Sequence, residues 1–310
     1  MTIPLVSISC ITYNHAPYIR ECLEGFLMQK TNFPFEILIH DDASTDGTAD
    51  IIREYEAKYP ELIKPIFREK NLYSQGIRGM NRFNFERAQG KYIALCEGDD
   101  FWTDPNKLQI QFDFMESHPD YSMCFHLAKV FNDESGEYVI TNFDRIKERE
   151  YTGEEILREW TVPTASVVFR AKFWKEIPQH KDFLCGDIVL FLTMSQCGKI
   201  YAMSRPMSVY RQTVAGVTAM LWWCTYDEVW LDRQLRHLDA LYSFFTFLPK
   251  SLRRKKKMEV YCLYFQTVKA QYGIKTTIKK ILKMNLLTQI AVFLKYLNIR
   301  FKNFFIRAEL

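Results

Sequence analysis

Apolar and polar positions in the first hundred residues switch between two periods. Short β-branched runs at 5–12, 35–39, 62–67 and 91–96 have the length expected of strands buried in a sheet. Between the first two, Ile19, Cys22, Leu23, Phe26 and Leu27 recur at helical spacing, which predicts a helix over 18–29 with one apolar face. Further helices are expected over 49–59 and 81–89. This alternation predicts an α/β fold with a mostly parallel open sheet flanked by helices.

The pattern then becomes more mixed. Asp104-Pro105 announces a helix over 106–117, with Pro in its first turn. Strands are predicted over 121–132 and 138–141, joined by Asp133-Glu134-Ser135-Gly136, a hairpin signal. A short strand is expected over 165–170, and an apolar helix over 188–197 that ends at Gly198. From about residue 220 onward the chain changes character. Residues 221–247 form a long aromatic-rich amphipathic stretch, Arg253-Arg254-Lys255-Lys256-Lys257 is a cationic run, and 261–305 mixes Lys with Leu, Ile, Phe and Tyr. The expected division is an α/β domain over 1–219 and a basic, helical C-terminal region over 220–310.

Charge sharpens that division. Residues 250–310 carry 15 Lys and Arg against 2 Asp and Glu, whereas residues 1–249 carry 26 against 35. An acidic body with a basic tail points to two different partners. Aliphatic and aromatic residues among the lysines suit the boundary of an anionic membrane better than a nucleic acid. No stretch reaches the roughly 18 apolar residues of a spanning helix. The first residues carry no basic leader and run straight into a strand, so no signal peptide is expected. The eight cysteines lack regular spacing and are expected as reduced thiols. The expected location is cytoplasmic, peripheral on the inner membrane face.

The candidate chemistry sits where predicted strands end. The first strand delivers Thr12-Tyr13-Asn14, the second His40-Asp41-Asp42 and onward to Asp46-Gly47-Thr48, the fourth Glu97-Gly98-Asp99-Asp100. Carboxyl ends of parallel strands converge on one crevice, where such sheets bind ligands. Crowded carboxylates repel unless a cation or a hydrogen-bonding ligand compensates. Hard oxygen ligands suit Mg²⁺ or Mn²⁺, which would also hold the diphosphate of a sugar-linked nucleotide. Tyr13 can stack on a base, and an Asp can accept from a base imide and a ribose hydroxyl. Asp46 or Thr48 is expected to cap the second helix. Asn71 and Arg78 lie in a Gly-containing loop near the crevice.

These segments, 6–14, 41–48 and 97–108, resemble successive signatures of family 2 glycosyltransferases, over roughly residues 4–215. The resemblance implies a GT-A fold and a nucleotide-sugar donor. It implies that Tyr13 and Asp42 bind the nucleobase, that Asp99 faces the donor's ribose or sugar, and that Asp100 holds the metal in a DXD-like turn. It further implies that Asp187, at the start of a later helix, is the catalytic base, with one carboxylate where relatives often have two. The family's Tyr-Arg-x-His is here Tyr210-Arg211-Gln212-Thr213, without the His. Arg211 retains a fork suited to diphosphate. With Thr12, Asn71 and Arg78, it completes the expected donor contacts, and Trp102, or residues after Tyr138, is expected to stack on the acceptor sugar.

The sequence therefore reads as an inverting, metal-dependent glycosyltransferase. Its expected substrates are a UDP-sugar and a saccharide or lipid-linked saccharide in surface-glycan assembly, without a nucleic-acid partner. Two alternatives stand beside it. One is a non-catalytic nucleotide-sugar-binding or scaffold protein. The other, a sugar-phosphate nucleotidyltransferase, lacks the expected phosphate loop after the first strand.

Overall fold

The alternation builds a parallel half-sheet. The computed structural model describes residues 3–77, 79–213 and 227–283. The strands β1 (Val6–Thr12), β2 (Phe35–Asp41), β3 (Ile63–Phe67) and β4 (Tyr92–Leu95) run parallel in the order β3-β2-β1-β4. The crossovers carry α1 (Ile19–Leu27) and α2 (Thr48–Lys58). On β1, Ile8 and Cys10 are fully buried in one core with Cys22, Leu23 and Phe26 of α1. The alternate residues Ser7 and Ser9 are also buried, which needs polar partners. Ser7 donates to Glu36 and Ser9 to Asn81, both at 2.7 Å.

The helix expected over 81–89 is reduced to one turn, α3 (Arg82–Phe85). Asn84 uses its amide to satisfy the carbonyls of Cys10 and Leu38, each at 3.0 Å. The chain then passes so close to β1 that a Cβ on Gly90 would lie 2.5 Å from the Ser7 nitrogen. That approach admits only Gly.

The second half is mixed, as expected, but its longest strand is not one that periodicity predicts. After β5 (Phe101–Trp102), α4 (Lys107–Ser117), β6 (Tyr121–Asn132), β7 (Glu137–Val139), β8 (Arg149–Glu150), α5 (Gly153–Glu159), β9 (Val168–Arg170) and α6 (Gly186–Cys197) comes β10 (Lys199–Gln212). The sheet runs β3-β2-β1-β4-β9-β6-β10-β5, with β7 on β6 and β8 on β10. β9 is antiparallel to both neighbours, and β10 is parallel to β6. The register of β10 shifts between Met203 and Ser208, where Ser204, Arg205 and Pro206 are exposed. Pro has no ladder donor, so this polar interruption hid the strand from an alternation search. α5 carries a capping box, Thr152 with Glu155, whose spacing is a readable start signal.

The chain divides into two units: Met1–Gln179 with Cys185–Leu221, and His180–Leu184 with Trp222–Leu310. The division falls at 221/222 and adds a short segment, His180–Leu184, that a single cut at 219/220 does not separate. In the second unit, α7 (Glu228–Phe244) is capped by Asp227, which accepts from the Trp230 nitrogen at 2.7 Å. α8 (Lys250–Leu282) is kinked at Gly273, whose φ is 80°. Tyr264, Phe265 and Val268 form the small core of this unit, packed by Trp230, Leu231 and Ile281. The seven cysteines among the described residues are free thiols.

One buried group gives the first unit an acid liability. His40 is fully buried and its Nε2 accepts from Arg68 Nε at 2.8 Å, so the imidazole must be neutral. Burial, with Arg68 second, pushes its pKa down to about 4. An unfolded His titrates near 6.5. Its contribution is therefore complete above about pH 6.5 and is lost as pH falls through 4, by about 3 kcal/mol. Urea unfolding at pH 7 and pH 4.5 should show this loss, and His40→Gln should lose less. Equal acid losses in both proteins would contradict it.

Candidate active site

The turn after β1 is held by side chains of the acidic tract that follows β2. Three successive amides are received in order: Asn14 N by Ser44 Oγ (2.9 Å), His15 N by Thr48 Oγ1 (2.8 Å) and Ala16 N by Asp46 Oδ2 (2.9 Å). Asn14 Oδ1 answers by accepting from Thr45 N at 2.8 Å. Asp46 also accepts from Thr48 N at 3.0 Å, although the cap position itself is Gly47, with φ 96°. These donors hold the Asp46 carboxyl below its ordinary pKa against the effect of burial. With its neighbours fastened, Tyr13 stands 44% exposed at the strand end.

Asp41 faces Thr12 in register and turns its carboxylate onto Ser44. Burial nonetheless raises its pKa. Asp42 is buried, and its two oxygens accept from Leu72 N (2.8 Å) and Tyr73 N (3.0 Å). It thus anchors the 71–77 loop. Asn71, expected at the donor, instead accepts from Ser74 N at 2.6 Å and shapes that loop. Arg78 lies outside the described residues. Gly79, at the far end of the loop, approaches Gly186 at the start of α6, 3.5 Å from the position of a Cβ there.

The turn Glu97–Asp100 packs directly on the end of β1. Gly98 N donates to Ile11 O at 2.9 Å, and a Cβ on Gly98 would lie 2.7 Å from Thr12 Oγ1 and 3.0 Å from His15 Nδ1. Both of those polar atoms are buried without a hydrogen-bond partner, as is Asp100 Oδ2. Asp99 Oδ2 lies 3.8 Å from His15 Nε2. The carboxylates disfavour one another's charge. Burial, then Asp99 and Asp187, pushes Glu97 up to about 8, and burial, then Asp99 and Glu97, holds Asp100 well above its usual range. The field of Asp187 at Glu97 brings the start of α6 to the same cluster. Asp187 is itself raised by burial, and its Oδ1 accepts from the adjacent Ile188 N at 2.8 Å.

Arg211 braces this turn and does not offer a free fork to diphosphate. Its backbone N donates to Asp100 Oδ1 (2.8 Å) and its Nε to Asp99 O (3.0 Å). The guanidinium bridges Glu21 and Asp133, lies 4.9 Å from the Tyr18 ring centroid and 5.1 Å from that of Phe101, and is 10% exposed. Tyr18 is held at about 12 by burial and by its bond to Asp133. Sequence reasoning missed Tyr18, Glu21 and Asp133. Only Asp133, an acid at the end of β6, carried the strand-end signal used elsewhere. Arg211→Met should cost about 1–3 kcal/mol, mainly because the part-buried Asp133 carboxylate and the Asp99 carbonyl lose their donor, while the Glu21 end is exposed and contributes little. Thermal unfolding measures it, and an unchanged midpoint would remove the bracing role.

Trp102 also requires correction. It is 2% exposed, its ring centroid lies 4.8 Å from that of Phe26, and its Nε1 donates to Ala165 O at 2.8 Å. The buried Lys107 ammonium, pushed down to about 7 by burial, sits 3.9 Å from the ring centroid. A side chain enclosed in this way cannot stack on an acceptor sugar. Tyr138, on β7, and Trp160 are exposed aromatics of that half.

Among the described residues no three His, Cys, Asp or Glu side chains are arranged to enclose a metal ion. The buried, unpartnered Asp100 Oδ2 beside Asp99 still fits the needs of a divalent cation that takes its remaining ligands from phosphate.

The comparisons with known proteins agree with this architecture. Residues 7–191 match the family described as glycosyl transferase family 2. The Mycobacterium tuberculosis protein Rv1520, uncharacterised, is 36% identical over 228 residues, which is 72% of this chain and 62% of its own. The chain therefore spans about three fifths of that relative's length. The Escherichia coli UDP-Glc:alpha-D-GlcNAc-diphosphoundecaprenol beta-1,3-glucosyltransferase WfaP is 34% identical over 139 residues, 45% of this chain and 48% of its own. S. aureus TarS 1–349, solved with UDP-GlcNAc, superposes with a TM-score of 0.61 over 93% of this chain and 78% of its own, at 19% identity. That likeness concerns the fold. With the family matched across more than half the sequence and its strand-end carboxylates gathered on one sheet, the chain belongs to glycosyl transferase family 2.

Proposed function

We propose that this protein is an inverting, metal-dependent glycosyltransferase. It moves a sugar from a nucleoside-diphosphate sugar, UDP-linked by preference, to a saccharide or lipid-linked saccharide in surface-glycan assembly. The observation that carries this reading is the packing of the Glu97–Asp100 turn on the end of β1, with Asp187 close enough to act on Glu97 and Asp100 Oδ2 buried and unpartnered.

Tyr13 stacks on the base. Asp42 has committed one lone pair of each oxygen to the 71–77 loop and keeps a second for a uracil imide. Asp99 faces the ribose or sugar. A Mn²⁺ or Mg²⁺ ion held by Asp100 would neutralise the departing diphosphate. Asp187, raised by burial, takes the proton from the acceptor hydroxyl as that oxygen attacks the anomeric carbon.

A lipid-linked acceptor places the work at a cytoplasmic membrane face, a location supported by the basic C-terminal region. No helix among the described residues is long and apolar enough to cross a membrane. The bond from Ile188 N to Asp187 favours one competing reading, a binding protein in which Asp187 only secures its helix. A thermal-shift screen of nucleotide sugars with Mn²⁺ tests the proposal. Mn²⁺-dependent stabilisation by a UDP-sugar is expected, and silence across the panel would overturn it. Stabilisation without transfer to any acceptor would leave the binding protein.

A further inference from the structure

The cationic run that stands out in the sequence is largely spent inside its own unit. Arg253 and Lys257 both pair with Asp239, at 2.8 and 2.6 Å, and Lys256 pairs with Glu259 at 3.2 Å. Beyond the Gly273 kink the pattern changes. Thr277 is buried there, Ile281 packs on the Tyr264–Val268 core, and Lys280 pairs with Glu228 at 2.8 Å. That face looks inward.

The other face carries two adjacent rows. Ile274 and Ile278, one turn apart, are 47% and 45% exposed, and the exposed Leu282 extends their line. Lys275 and Lys279 follow each by one position, about 100° further round the helix. Both are exposed, and among the described residues neither has a carboxylate partner. Tyr272, also exposed, stands at the kink. In an ordinary solvated helix, the outward positions at this spacing would be polar throughout.

We propose that α8 beyond Gly273 is an interfacial helix that seats Ile274 and Ile278 in an anionic bilayer surface, with Lys275 and Lys279 on its phosphates. This inference rests on the membrane-side reading above and relocates it from the Arg253–Lys257 run. The two rows fit that surface together. Apolar side chains enter the acyl boundary, while neighbouring lysine stems lie along it and keep their ammonium groups at headgroup level. A nucleic acid would use the lysine row and leave the isoleucine row in water.

The test is co-sedimentation of the full chain with vesicles of phosphatidylglycerol and phosphatidylcholine in equal parts, without donor. Binding is expected to weaken in high salt and to be lost on pure phosphatidylcholine. Lys275→Glu/Lys279→Glu and, separately, Ile274→Ser/Ile278→Ser should each lower partitioning at least about tenfold. Arg254→Glu/Lys255→Glu should lower it less. Thermal midpoints should stay unchanged, because all these side chains face water. No binding by the unmodified chain would overturn the proposal. So would a larger loss from the Arg254/Lys255 pair, or full binding by the isoleucine variant. A large fall in midpoint for the isoleucine variant would show that the row is covered by protein, which also overturns it. Calorimetry with a UDP-sugar and Mn²⁺, run separately, reports on the donor site, so the two readings fail independently.

Discussion

Asp187→Asn should leave donor affinity within about twofold while turnover falls by about 10²–10⁴-fold, the usual worth of a positioned general base. The substitution discriminates well here because of one hydrogen bond. Asp187 Oδ1 accepts from Ile188 N, and an Asn amide oxygen can keep that bond. If the side chain only secures the start of α6, the variant should behave like the parent. If it removes the acceptor proton, α6 stays folded and chemistry stops. Steady-state transfer, with calorimetry of donor binding, separates the two. Near-normal turnover would remove Asp187 as the base.

The second large effect is expected at Asp100. Asp100→Asn should abolish Mn²⁺-dependent donor binding and lower transfer by about 10²–10³-fold or more, the scale seen when one preorganised charge-stabilising contact is lost. Its stability signature should run the other way. Burial, Asp99 and Glu97 all penalise a charged Asp100, so neutralising it should hold or raise the thermal midpoint. Active sites commonly accept such a cost in stability. A lower midpoint with unchanged donor binding would assign Asp100 to structure alone.

The parallel half-sheet was legible because each strand is an apolar run that ends abruptly at polar residues, two of them at clusters of acids. Thr12, Asp41 and Glu97 mark those ends in the sequence and in the structure. The β10 strand was not legible, since Ser204–Pro206 breaks its alternation at a register shift. Among candidate site residues, strand position and chemistry singled out Tyr13, Asp42, Asp99 and Asp100, whereas the partners of each required three dimensions. Nothing in the spacing of Arg211 shows that Glu21, 190 residues earlier, occupies its fork. Trp102 misled because an aromatic after an acidic turn looks the same in sequence whether it faces a ligand or Phe26. For Asn71 the sequence could not show that its amide oxygen accepts from Ser74 N and so shapes the 71–77 loop.

The fastened turn after β1 has a consequence for how this protein manages anions. In many nucleotide-binding α/β proteins, the backbone amides just past the first strand form the cradle for phosphate. Here the amides of residues 14, 15 and 16 already donate to Ser44, Thr48 and Asp46. Those three amide hydrogens are already spent. In the proposed reaction the diphosphate would draw its positive charge from elsewhere, and the Asp99–Asp100 pair would supply it by recruiting a cation. The same three bonds that make the turn rigid thus leave the proposed cation at Asp100 as the natural source of that charge.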